Sequence, residues 1–537
     1  MKRDTFKKSL KTLPFGWLIL SLLFCLIVIL PIIFLSYGLF SYNEPSRMWD
    51  NIRQFVLIPT IINTLLLVSF SVFFAGFIGT LLAVIFSMYG FKFKTLLELL
   101  LVLPLAIPPY IAAYTYGSFL SFSGPLQTFF RNQLGMNIAR LSIMNMPGAI
   151  FIYTLTFYPY IYLGVRAYLK NNSATLIESA RLLGKNELHV LWHIILPILK
   201  PIMISSGTLV ALEIINDFGV AEYFGVRTLS VLIFQAWYGM FNIGLAIRIS
   251  FFLIGFVILY KTLSRFLFNE RKYQLSPKER VLIPIEAKGV RLFFIYLFPL
   301  VVLFFSLFIP VGYTISLVDF AGLDVAELAE LTLNTLMISG FATLVIILFS
   351  LIISNTARFM PQGLKPALKL ASIGYGVPSP VLAIAVLSIF VVLEQRNLIP
   401  SYLMGFTVVM LLFAYFIKYF SLGQTNVEKG YAKVGRVYTD SSRILGYGIT
   451  KTFFKVDLFT IKNAIISASI LVFVDLVKEL PLTLILRSFN FQTLSTRVYM
   501  FAINEQIPRS APFSLTIIFI SSLFITLIQF IGRRNNA

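Results

Sequence analysis

The sequence predicts an all-α integral membrane protein, with about twelve transmembrane helices in two repeated six-helix units. Three observations carry that prediction. First, 58% of the 537 residues are hydrophobic and only 12% are charged, whereas about a quarter of the residues are charged in a soluble average. Second, the chain holds many apolar runs of the ~20 residues needed to cross a bilayer as a helix, the form that satisfies every backbone group without water. Third, four polar motifs recur in register between the halves: "TIINTLLLVSF" (60–70) with "LTLNTLMISGF" (331–341), "AIPPYIAA" (106–113) with "GVPSPVLA" (376–383), "IESARLLG" (177–184) with "TDSSRILG" (439–446), and "RTLSVLIF" (227–234) with "QTLSTRVY" (492–499). The pairs keep their order at offsets between 262 and 271. Chance likeness between apolar runs does not produce matched polar positions such as Asn63-Thr64 and Asn334-Thr335.

Apolar runs place the spans near 15–40, 55–88, 96–118, 147–168, 196–221 and 246–268, then near 292–318, 331–356, 367–393, 400–420, 460–486 and 511–532. The first follows a basic start. It is too long for a signal-peptide core and no small-residue cleavage site follows it, so it reads as a retained span. The 55–88 run exceeds one span and is expected to tilt or to lie partly at the interface. The chain divides into an N-terminal span and outer loop (1–54), a first repeat core (55–268), a basic linker (269–290), a further span and outer loop (291–330) and a second repeat core (331–537). The single cysteine, Cys25, excludes an internal disulfide and any Cys-rich metal site.

Charge orients the spans. With the N-terminus inside, segments 1–14, 89–96, 166–200, 261–291, 358–369, 418–462 and 533–537 hold 33 of the 44 Lys and Arg residues. Lys and Arg in short loops mark the cytoplasmic side, so both termini are expected there. The formal charge of +21 reflects this bias rather than nucleic-acid binding. The outer stretch "LVDFAGLDVAELAEL" carries Asp319, Asp324, Glu327 and Glu330 and no base. Such a patch could steer a basic partner, or only solvate the start of the next span.

The most polar sizeable segment of the first half is "TLIESARLLGKNELHVLWHIILPILKP" (175–201). Its spacing predicts a helix ended at Gly184 in a left-handed conformation, a second short helix capped by Asn186, and a span starting at Pro197. A twin stands at the same place in the second repeat. Two readings remain at this point: a knob that docks in a partner's groove, or an amphipathic helix resting on lipid. The pattern of Glu178, Ala180, Gly184 and then Leu196-Pro197 resembles the coupling loop of ABC importer permeases, with Ser179 in place of one Ala. In the second copy Asp440 replaces Glu, Ser441 and Ser442 replace both alanines, Gly446 is kept, and Leu458-Phe459 stands for Leu-Pro. The fused two-unit layout and "NDFGVAEYFGVRTLSVLIFQAWYG" (216–239) resemble the ferric-iron transport permeases.

That resemblance implies the type I ABC importer permease fold and a transport subunit in a bacterial inner membrane. It also implies an ABC ATPase subunit dimer that docks on both loops, a substrate-binding protein on the outer side, and ferric iron as cargo. Sister branches with the same layout import thiamine and phosphonates. No G-x-x-x-x-G-K-[ST] loop is present, so ATP and Mg are expected to be used by the ATPase partner, with no cofactor bound by this chain. The chain is therefore expected to be a pore and not an enzyme; no cluster of His, Asp or Ser suited to chemistry is evident. A secondary transporter also has two repeats, but it needs no coupling knob.

Acids interrupt the fifth span of each repeat: Glu213 and Asp217 in "VALEIINDFGV", Asp475 and Glu479 in "LVFVDLVKELPL". Each pair is four apart, hence on one helix face, and the pairs align at offset 262. Intramembrane acids are costly and mark pathways, and hard cations such as Fe³⁺ take carboxylate oxygens. The competing reading places them at the outer surface or in pairs with Lys478 and nearby backbone. Pro108-Pro109 and Pro378/Pro380 break the third spans, for a pathway or merely for a kink. His189 and His193 have metal-ligand spacing but no third ligand in sequence, so a solvated or partner-facing pair is expected. Arg248, at the start of the sixth span, is expected to snorkel to the outer interface.

Overall fold

The computed structural model describes residues 15–41, 47–135, 142–172, 178–180, 182–184, 186–267, 284–360, 368, 374–397, 407–488 and 490–534. The basic N-terminal segment, most of the linker and residues 175–177 of the first polar loop lie outside them. Among the described residues, nine helices are long and apolar enough to cross a membrane, from Gly16–Phe40 to Ile507–Ile531. Two further spans are bent pairs: Lys94–Ala106 with Pro109–Phe119 at 91°, and Ile449–Thr460 with Lys462–Val477 at 76°. The ninth expected span contains the apolar helix Ser379–Glu394, shorter than the other spans. The protein is a multi-pass membrane protein.

Several expected boundaries move for identifiable reasons. The third spans are broken at the expected prolines. Pro108 and Pro378 are extended, with ψ of 139° and 142°, and a new helix starts at the following residue in each repeat. In the first repeat Pro109 excludes Pro108 from helical geometry and takes the first helical position; in the second, Pro380 takes the second helical position, where its missing N–H costs no intrahelical bond. The long second span runs from Arg47 to Met88, with a wide π turn at Ile52–Val56 ahead of Pro59. Pro197 does not start a span. The helix is continuous from Glu187 to Asn216, with a π turn at Leu191–Ile195 just upstream of that proline. The same device precedes Pro310, at Phe304–Phe308. A proline removes one i→i−4 hydrogen bond, and a widened turn is one way the ladder absorbs the loss.

Small residues set the closest approaches. A Cβ on Gly79 would stand 2.7 Å from the Tyr158 carbonyl oxygen, so the second and fourth spans meet backbone to backbone there. In the second repeat Gly423 plays that part against Ser350. Close packing of this kind holds helices together where lipid removes the hydrophobic drive.

The two repeats exchange their first spans. Phe24 of the first span packs on Phe349, Phe416 and Phe420 of the second repeat, with ring centroids 5.2, 4.7 and 4.4 Å apart. Ser21 bonds Thr356 at 3.0 Å. In return the seventh span, Gly289–Ser316, packs on the first repeat. Tyr116 donates to the Phe305 carbonyl at 2.5 Å, the Thr115 and Thr314 hydroxyls meet at 3.2 Å, and Tyr296 donates to the Lys92 carbonyl. A two-residue parallel ladder, Tyr89–Gly90 with Ile285–Glu286, ties the linker's end to the loop after the second span.

Candidate functional site: a charged cavity between the repeats

The third, fourth and fifth spans of both repeats converge on one cavity of about 90 Å³. Its wall includes Glu213, Asp217, Asp475 and Glu479, so all four acids singled out in sequence reach the same place. Pro108 and Pro109 border it, as does Ser379 beside Pro378. The volume admits a few waters or one small ion.

The four carboxylates divide into two kinds. Asp217 and Glu479 cap the short helices that follow their spans. Asp217 Oδ1 accepts from the Gly219 N–H at 2.8 Å. Glu479 accepts from the Leu482 and Thr483 N–H groups at 2.9 and 3.0 Å and from the Thr483 hydroxyl at 2.9 Å. These backbone bonds are part of the reading that competed with a pathway role, and they leave Glu479 little free acceptor capacity. Glu213 and Asp475 instead meet side chains. Tyr375 donates to Glu213 Oε1 at 2.5 Å, and Lys478 pairs with Asp475 at 2.8 Å. Glu213 also lies within electrostatic reach of Asp475, Lys478 and Lys418. Among the described residues, no group of three or more His, Cys, Asp and Glu is placed to hold a metal ion.

Lys418 was counted among the residues of a cytoplasmic loop. It lies instead inside the Thr407–Val434 helix, 2% exposed, and donates to Asn216 Oδ1 at 2.9 Å and to the Val377 carbonyl at 2.7 Å. The extended Pro378 leaves that carbonyl outside any helix. The signal in sequence was a single lysine within "LLFAYFIKYF", and the hydropathy boundary at 420 hid it. Tyr160, Tyr375 and Tyr419 also line the cavity and were not singled out. Leu105, Tyr160, Tyr375, Asp475 and Lys478 separate it from a second chamber of about 390 Å³, which reaches Lys429 and Gln529 toward the end expected to be cytoplasmic.

At that end stand the two polar loops. Gly184 has φ +72° and Gly446 φ +85°, both left-handed. Asn186 Oδ1 caps the next helix by accepting from the His189 N–H at 2.9 Å. Ala180 is buried and Glu178 half-buried, while Leu182 is 89% exposed. In the twin, Val437–Ile444 is a helix with Thr439 and Ser442 buried, Asp440 exposed and Ile444 85% exposed. Thus each loop presents an apolar tip ahead of its glycine.

The anchors behind the tips differ. In the second repeat Arg358 pairs with Asp457 at 3.3 Å and donates to Thr439 at 2.6 Å, and Thr439 donates to Asp457 at 2.7 Å. The Arg358 guanidinium covers the Tyr431 ring at 4.1 Å. In the first repeat Glu187 takes hydrogen bonds from Tyr89 at 2.7 Å and from Arg291 at 2.9 Å. His189 and His193 stack at 4.2 Å, and no third His, Cys, Asp or Glu joins them among the described residues. Arg248 lies over Trp49 at 5.6 Å.

The acids of the stretch expected to face outward also have local duties. Asp324 caps the eighth span through the Glu327 N–H at 3.0 Å, Glu327 pairs with Arg497, and Asp319 accepts from the Ala321 N–H at 3.1 Å. Glu330 is exposed and has no such bond assigned, so it is the cleanest probe of charge steering. Glu330→Gln is expected to slow docking of a basic partner at low salt and to have little effect at physiological salt, where the Debye length is about 8 Å. Association rates across a salt series check this; an unchanged slope would leave the patch as solvation.

Residues 75–270 match the family of binding-protein-dependent transport system inner membrane components. The chain is 25% identical to an Fe(3+)-transport system permease protein of Haemophilus influenzae over 87% of this chain and 88% of that protein. It is 29% identical to a sulfate transport system permease protein of Salmonella typhimurium over 38% of this chain and 72% of that protein. A spermidine/putrescine transport system permease protein of Haemophilus influenzae is 26% identical over 41% of this chain and 79% of that protein.

Proposed function

We propose that this chain, a two-repeat membrane permease of the ABC importer class, moves ferric iron across a bacterial inner membrane. One copy supplies both halves of the pore. An ATPase subunit dimer docks on the tips ahead of Gly184 and Gly446 and uses ATP and Mg, and a binding protein delivers cargo to the outer face. Both termini are then cytoplasmic. The observation that carries the cargo assignment is the meeting of Glu213 and Asp475, one from each repeat, in a cavity sized for a small ion. Carboxylate oxygens suit a hard trivalent cation. Likeness to the iron permease over both repeats supports it, whereas the sulfate and polyamine relatives match less than half of the chain.

The buried Lys418 and the half-buried Lys478 favour a second reading, in which the cavity takes an oxyanion. Uptake into proteoliposomes that hold the whole transporter separates the two. Glu213→Gln with Asp475→Asn is expected to lower ferric uptake at least about tenfold, the rate equivalent of ~1.4 kcal/mol. Unchanged ferric uptake with normal assembly would remove these acids from the pathway. Sulfate or phosphonate uptake without iron uptake would establish the oxyanion reading.

A further inference from the structure

Beyond the cavity, on the side away from the second chamber, a group of buried oxygen atoms has no role in the account so far. The Tyr114 and Tyr153 hydroxyls and Asp217 Oδ2 are buried and have no hydrogen-bond partner among the described residues. Tyr114 is 2% exposed and Tyr153 0%. The Tyr153 hydroxyl lies beside the Asp217 carboxylate and the Ala221 N–H, at marginal hydrogen-bond geometry. Tyr114 lies within electrostatic reach of Asp217, Glu222, Tyr110 and Tyr499. Tyr499 donates to Glu222 Oε2 at 2.8 Å. Burying polar atoms unpaired is costly, and native proteins concentrate the exceptions where a ligand or a function accounts for them.

Three spans place this group in line with the chambers already described. Along the fourth span Tyr153 comes first, then Thr156 and Tyr160 at the cavity, then Leu163 at the second chamber. The third span runs the opposite way, with Val102, then Pro108 and Tyr110, then Tyr114. The fifth runs from Leu209 through Glu213 and ends at Asn216; Asp217 is extended and Glu222 lies in the short helix Gly219–Tyr223 that follows. Seven helical residues separate Tyr153 from Tyr160, about 10 Å of rise. The group is thus one step further out on the same axis.

At the repeat offsets, Tyr114, Glu222 and Tyr499 correspond to the apolar Ile384, Leu484 and Phe234, whereas Asp217 corresponds to the acid Glu479.

We infer that Tyr114, Tyr153, Asp217, Glu222 and Tyr499 form an outer station that takes a hard trivalent cation through phenolate and carboxylate oxygens before it enters the cavity. This inference rests on the proposed iron cargo. A phenol that ligates gives up its proton to solvent, and one phenolate with the Asp217 and Glu222 carboxylates balances the three charges of the ion. The station receives the ion as it leaves the binding protein, and Asp217, shared with the cavity wall, is the hand-over point.

The test uses the full transporter in nanodiscs, titrated with ferric nitrilotriacetate and followed by visible absorption, because phenolate bound to Fe³⁺ gives a charge-transfer band. Tyr114→Phe with Tyr153→Phe removes one buried hydroxyl without a partner among the described residues and one beside Asp217, so the melting temperature is expected to change little. The expected result is a band in the native protein that is lost in the double variant, together with at least a tenfold fall in iron uptake. Iron uptake without a band, or a band unchanged in the double variant, would overturn the station and leave the cargo assignment standing. Neither uptake nor band in the native protein would overturn both.

Discussion

Gly184→Pro is expected to abolish substrate-stimulated ATP hydrolysis by the assembled transporter, a fall of at least about a hundredfold, while the membrane core stays folded. Gly184 sits at φ +72°, which proline cannot adopt because its ring holds φ near −65°. Among the described residues, no heavy atom outside the adjoining residues lies within 4 Å of a Cβ built there, so the change acts through the backbone. The turn must open, and the exposed tip at Leu182 and Leu183 moves with it. Gly184→Ala separates conformation from space. It fits, but pays the left-handed penalty of about 1–2 kcal/mol, so partial activity is expected. Glu178→Lys is the second arm, aimed at charge in the docking surface. Normal stimulated hydrolysis in both Gly184→Pro and Glu178→Lys would remove this loop from coupling.

Arg358→Met is expected to destabilise the protein by about 3–5 kcal/mol, because it strands Asp457 without its cation in a buried place. Asp457 is 2% exposed, and its Oδ2 already lacks a partner among the described residues. Thr439 would keep one bond to it, but the carboxylate charge would be uncompensated. Arg358→Met with Asp457→Asn is expected to recover most of the loss, since the remaining polar group is neutral. Thermal unfolding of the single and double variants in detergent forms a double-mutant cycle. Additive losses would mean that the pair contributes little. The same cycle read by ATP hydrolysis asks whether the second knob needs its rigid mount, which the first repeat lacks: Ser87 and Ile195 stand where Arg358 and Asp457 do.

Much of the frame was legible in the amino-acid sequence because hydropathy and repeat register report directly on lipid contact and duplication. The left-handed Gly184 was legible too, because it follows a helical stretch with an apolar end. What the sequence hid has physical causes. Hydropathy ended the tenth span at 420, so Lys418 was read as a loop residue although it lies within a helix that runs to Val434. An acid within an apolar run reads as a pathway group, yet Asp217 and Glu479 each precede a short helix, where an acid is also a cap. The proline pairs announced breaks but not their size, because the bend depends on what the next half-helix packs against. The exchange of first spans was invisible, since an apolar helix is compatible with any apolar neighbour until side-chain shapes meet.

That exchange sets a timetable for synthesis. Phe24 leaves the ribosome early, but its partners Phe349, Phe416 and Phe420 follow more than 300 residues later. At about 5–20 residues per second the first span waits tens of seconds in the bilayer without its binding surface. Until the sixth span arrives, whose Ile247 meets Gly38, it must survive as a lone helix, and its composition allows this: a mean hydropathy of 3.3 and no charged residue from Phe15 to Ser41. Its arrival between the later helices joins the two halves, so the pore becomes complete only when the last repeat has been made.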